Sequence, residues 1–127
     1  MGELRPDQRG QATVELALVL PLVALVIGVL VEFGMLVADQ ARLWHAAREA
    51  ARVAAVDADE DDQLVAARET GLGPLEMVTE PKPNLRVQGE PVKVSLTYAP
   101  VGTVPLIGEL FERISLTSSA TMRIETP

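Results

Sequence analysis

The sequence has 127 residues, 48% hydrophobic and 3% aromatic, with 11 Lys and Arg against 18 Asp and Glu. That length holds one ordinary domain at most, and a net charge of −7 speaks against a general nucleic-acid binder, which normally presents a basic stripe. With no cysteine and a single histidine, disulfides, thiolate chemistry and a His-rich metal site are excluded.

Residues 1–10 are polar and carry Glu3, Arg5, Asp7 and Arg9. An uncharged apolar run follows from Leu16 to Val31; Glu32 interrupts it and Phe33 to Ala38 continues it. As a helix, Leu16 to Ala38 rises about 34 Å, against a hydrocarbon core of about 30 Å. No polar stripe divides the run, and the remaining acidic body is too small to enclose it, so the pattern predicts a helix embedded in lipid. A cleaved secretory signal is the competing reading. Against it stand a charge-balanced leader, Glu15 at the opening of the run, and a helical pattern that continues far downstream. Pro21 removes one backbone donor and is expected to kink the helix, at a cost that neighbouring helices can offset.

From Gln40 to Val56 the chain is rich in alanine and arginine, both strong helix formers. The simplest prediction is one rod from about Thr13 to about Val56, some 65 Å long. Arg42, His45, Glu49 and Arg52 fall on one face, and Trp44, Ala47 and Ala51 form another, where a sheet would dock.

The order Gly10-Gln11-Ala12-Thr13-Val14-Glu15-Leu16, with Pro21 and then Ala46-Ala47-Arg48-Glu49-Ala50-Ala51-Arg52, resembles the type III leader junction of type IV pilin relatives. It is similar to TadE-like proteins, the minor pilins or pseudopilins of the tight-adherence (Flp) pilus system. The resemblance implies that residues 1–10 are a leader removed by a prepilin peptidase after Gly10. Gln11 then becomes the N-terminus, Glu15 the fifth-position carboxylate, and 11–56 a transmembrane and assembly helix. It also implies the partners: other pilins or pseudopilins, an inner-membrane assembly platform and membrane lipid, with no nucleic acid. The implied location is the bacterial cytoplasmic membrane, with residues 57–127 as an extracytoplasmic body, and a cell-surface pilus. Leu16 stands where many such junctions carry an aromatic. Arg5 and Arg9 precede the span and Arg42, Arg48 and Arg52 follow it, so the orientation comes from the resemblance and not from the distribution of positive charge.

Two acidic residues flank the apolar run. A carboxylate at the start of a lipid-embedded helix is costly unless paired. Cleavage after Gly10 would free an amine on Gln11, about 6 Å along the helix from Glu15. Pairing with that amine, in the same chain or a neighbour, would fix the register of otherwise greasy rods. The alternative is an interfacial residue favoured by the positive end of the helix dipole. Glu32 has two readings of equal standing: a contact with another helix or with assembly machinery, or an edge position at the outer interface.

Asp57, Asp59, Glu60, Asp61 and Asp62 could ligate a divalent cation, but the EF-hand spacing is absent. The better reading is the acidic start of a second short helix over about 60–70, stopped by Gly71. Alternation predicts strands over about 85–88, 92–98 and 115–125, the first two forming a hairpin around Gly89. Val104 to Phe111 reads as a short amphipathic turn or helix that caps the core, or else as a membrane-surface or partner patch. The predicted fold class is α+β: a long N-terminal helix with a small antiparallel sheet packed on its C-terminal half.

No nucleophile–base pair, phosphate loop or cofactor motif occurs, so no catalytic, cofactor or metal residue is expected and the chain does not read as an enzyme. His45 is read as a solvated or packed side chain. The alternative function is a single-pass anchored accessory protein whose acidic outer domain binds a ligand and never polymerises.

Overall fold

The computed structural model describes residues 8–126, so residues 1–7 of the expected leader lie outside the described residues. The first helix, α1, runs Gln8–Val56 with Pro21 inside it. It begins upstream of the expected Thr13 start, and the Gly10–Gln11 bond lies within it. At 49 residues it is about 73 Å long. A second helix, α2 (Glu60–Arg68), follows, and then β1 (Leu75–Glu80), a 3₁₀ turn at Pro83–Leu85, β2 (Pro91–Tyr98), a short α3 (Gly108–Phe111) and β3 (Leu116–Arg123). The strands form one antiparallel sheet in the order β1-β2-β3. Leu96 at its centre pairs with Met77 on one side and Ser118 on the other.

The α+β architecture matches the expectation; the first strand does not. The structure places β1 at 75–80, while residues 85–88, expected as a strand, are a 3₁₀ turn and irregular backbone. Leu85 and Val87 are exposed and Arg86 between them is buried, the reverse of what their apolar alternation suggests. The reason is the end of α1. A helix leaves its last carbonyls without donors, and α1 has no basic residue in its last turn. Arg86 supplies one from a distance: its Nη1 donates to the carbonyls of Ala54 and Asp57, both at 3.0 Å. Glu125 N donates to the Ala55 carbonyl at 2.7 Å. Gln63 Nε2 donates to the Asp57 carbonyl at 3.0 Å, and Thr79 Oγ1 in β1 donates to Gln63 Oε1 at 3.1 Å.

The core lies where the sheet crosses the C-terminal half of α1. Leu43, Ala46, Ala47, Ala50, Ala51 and Ala54 are fully buried against Leu75, Val92, Val94, Leu96 and Ile124. These helix positions recur every three to four residues, one stripe of an α-helix. Their small side chains bring the helix close, and the larger strand residues fill the gap. Of the expected docking face, Ala47 and Ala51 are in the core but Trp44 stands at its rim, 45% exposed. It lies one position round the helix from Leu43, which takes the inward place. The Arg48 guanidinium lies 3.8 Å from the Trp44 ring centroid, and Arg42, His45, Glu49 and Arg52 are exposed as expected.

The acidic cluster builds the start of α2. Asp59 N donates to Asp57 Oδ1 and Asp61 N to Asp59 Oδ1, both at 2.9 Å, so Asp59 is an N-cap. Gly71 adopts φ +77° just beyond the helix, the left-handed geometry that suits glycine at a helix stop.

Candidate functional site

Three stations along α1 carry the chemistry, and each follows from a different property of the sequence. The first is the junction. Gly10, Gln11 and Glu15 are exposed, and Gln11 Nε2 donates to Glu15 Oε1 at 3.2 Å, one helical turn away. A Cβ added at Gly10 would meet nothing within 4 Å. Among the described residues, therefore, no contact asks for glycine there.

The second station is the apolar segment. From Val14 to Ile27 its large aliphatic side chains face outward on all sides of the helix. α1 is long and apolar enough to cross a membrane, and the most apolar stretch of it has no share buried in the protein. Pro21 sits within this stretch, and the helix continues on both sides of it.

At the third station Glu32, only 3% exposed, is enclosed by the chain itself. Thr103 N donates to its two carboxylate oxygens at 3.1 and 3.3 Å, and Val104 N donates to Oε2 at 3.0 Å. A turn farther back, a Cβ at Gly28 would stand 2.5 Å from Ile107 Cδ1. The segment linking β2 to β3 therefore climbs along α1 beyond the sheet and lies against Gly28 and Glu32. This corrects the reading of 104–111 as a cap on the core. α3 is only Gly108–Phe111, and the segment contributes nothing to the core cluster, because the Glu32 carboxylate holds it farther along α1. The segment folds on itself where Gly102 meets Gly108: a Cβ on Gly102 would run into the Gly108 backbone. Gly102→Ala is accordingly expected to open the segment and make 99–115 sensitive to limited proteolysis. Gly28→Ala should be tolerated, since the obstacle there is the mobile end of one isoleucine side chain.

Sequence reasoning singled out Glu32 but not its partner, and it missed Arg86 and the Gln63–Thr79 pair altogether. Single polar residues carried no local mark of what they would meet. Beside the sheet, burial pushes the Tyr98 phenol above its ordinary value; Asp39 adds to the shift and Arg42 opposes it. Among the described residues no group of His, Asp or Glu is placed to hold a metal ion.

No curated protein matches the chain, and no solved structure does. A family model described as TadE-like protein matches residues 10–52. The match starts at the junction glycine, takes in the whole apolar segment and Glu32, and ends inside the alanine stripe under the sheet. It stops short of the sheet itself, so the likeness to TadE-like proteins is a likeness of α1 alone.

Proposed function

We propose that the chain is a membrane-anchored minor pilin or pseudopilin of a tight-adherence (Flp) pilus, a structural subunit and not an enzyme. A prepilin peptidase cuts after Gly10, the apolar part of α1 holds the product in the bacterial cytoplasmic membrane, and the sheet-bearing body lies outside. An assembly platform then draws the helix from lipid into contact with the same segment of other pilins or pseudopilins, for adhesion or a related secretion step. Transfer exchanges lipid contacts for helix contacts, so it is not driven by burial alone and calls for machinery. The amine freed on Gln11 pairs with Glu15 of its own or a neighbouring chain and sets the register.

One observation carries this reading. Ahead of an apolar helix whose most apolar stretch is not buried in the protein stands an exposed glycine at which an added Cβ would meet none of the described residues. A glycine that none of the described residues calls for is explained when an external protein reads it, as a peptidase would.

The intact mass of the chain extracted from membranes tests the proposal. Processing should leave a product that starts at Gln11, and Gly10→Leu should leave the leader attached. A chain that keeps Met1 in cells with an active prepilin peptidase would sink the pilin reading in favour of the anchored accessory protein. Glu15→Ala should still be processed but should fail to co-sediment with sheared filaments.

A further inference from the structure

The segment between β2 and β3 combines three properties that the core does not explain. No charged residue occurs between Lys93 and Glu109. Val101, Leu106 and Leu110 are among the most exposed apolar side chains of the body, Leu106 at 86%. Leu106 also holds φ 68°, a left-handed conformation that a bulky side chain rarely takes. The protein thus holds an aliphatic side chain outward in a disfavoured geometry, with little burial to repay it.

Position along α1 says what surrounds these side chains. Counting from Leu16, Gly28 lies about 18 Å and Glu32 about 24 Å up the helix. A hydrocarbon core of about 30 Å that starts at Leu16 would reach beyond both. The segment lies against Gly28 and Glu32, and so within the outer part of that core.

Several backbone groups of the segment are satisfied in a way that suits that depth. Irregular chain near hydrocarbon requires its polar groups to be satisfied within the protein. Pro100 and Pro105 have no N–H, and those of Thr103 and Val104 go to Glu32. Gly108 N bonds the Val104 carbonyl at 2.7 Å, Leu110 N that of Ile107 at 3.0 Å, and Glu112 N that of Gly108 at 3.1 Å. The same contacts make the carboxylate of Glu32 tolerable at this level, since an unpaired one there would be expensive.

We propose that residues 101–110, latched to Glu32, dip into the outer boundary between headgroups and acyl chains beside their own transmembrane helix, with Val101, Leu106 and Leu110 in lipid. The occupant is the bilayer itself. The nearby charges, Glu109, Glu112 and Arg113, are acidic on balance, so insertion rests on apolar burial and requires no anionic lipid. The body is thereby fixed at a set height and rotation over the membrane instead of swinging on a single helix. This rests on the reading that α1 crosses the bilayer, and the test separates the two.

The chain has no cysteine, so single-cysteine variants label cleanly. The full chain, in phosphatidylcholine vesicles, carries an environment-sensitive fluorophore at Leu106→Cys, at Leu22→Cys in the apolar segment, or at Thr121→Cys on the outer face of the sheet. The Leu106 label should be blue-shifted, protected from aqueous iodide, and quenched best by lipids with a nitroxide near the headgroup. The Leu22 label should answer best to mid-chain nitroxides and the Thr121 label to iodide alone. If the Leu106 label behaves like that at Thr121 while Leu22 reports lipid, the dipping segment is wrong and the spanning helix stands. If Leu22 is also open to iodide, the spanning reading fails and the proposal with it. A Leu106 label shielded from both iodide and lipid overturns the proposal in favour of a protein contact. In a Glu32→Ala background the Leu106 label should become accessible to iodide with Thr121 and Leu22 unchanged; no change there would overturn the role of Glu32 as the latch.

Discussion

Replacing Leu96 by alanine is expected to lower the stability of the sheet-bearing half by about 3 kcal/mol, within the range found for buried leucines. Leu96 is fully buried at the centre of the middle strand, between Met77 and Ser118. The helix stripe it packs with is Leu43 followed by alanines, and alanines have no side-chain length with which to fill a hole. The helix itself cannot move in, because Ala46 to Ala54 already sit against the other strand residues. The cavity should therefore persist, and the cost should include the lost contacts of its lining as well as the lost transfer energy. Val78→Ala makes the control: Val78 is in β1 but faces outward and is exposed, so its loss should change stability by no more than about 0.5 kcal/mol. The single Trp44, at the rim of the helix–sheet contact, reports denaturant unfolding of the full chain in detergent micelles. Equal midpoint shifts for the two variants would mean that the helix and sheet are not packed as described.

The division between what the sequence revealed and what it hid follows the range of the interactions. α1 was legible because an unbroken apolar run and an Ala/Arg run both act through local propensity and length. α2 was legible because Asp59 caps within three residues of itself. β2 and β3 show alternation with a mostly polar outer face, the pattern of a half-buried strand. β1 escaped because one of its inward positions is Thr79, which earns its place only by bonding Gln63, 16 residues away. Leu85 and Val87 misled for the complementary reason: alternation gives a period but not which face turns inward, and Arg86 decides that through carbonyls 29 and 32 residues away. Glu32 and Thr103 lie 71 residues apart. The residues were visible in the sequence; only the closed fold could pair them.

Arg86 supports the second large prediction. It is the point where the end of α1, the start of α2 and the turn before β2 meet. Its guanidinium holds the Ala54 and Asp57 carbonyls, and Nε adds a longer contact to the Pro81 carbonyl at 3.5 Å. A cation at a helix C-terminus gains from the dipole as well. Arg86→Ala should cost about 3 kcal/mol, since hydrogen bonds to a charged group contribute about 1.5–3 kcal/mol each and some of that is returned as the buried charge is removed. That return is real here, because Nη2 is buried without a hydrogen-bond partner among the described residues. Two further variants separate packing from donation. Arg86→Met keeps much of the apolar stem but offers no donor, and should be nearly as damaging as alanine. Arg86→Lys keeps the charge and can reach one carbonyl, and should recover about half of the loss. Because the acceptors are neutral carbonyls and the site is buried, the loss should change little between low and high salt. The same Trp44 unfolding measurement ranks the four proteins. If methionine restored native stability, Arg86 would be filling space, and the closing of α1 by a distant side chain would have to be abandoned.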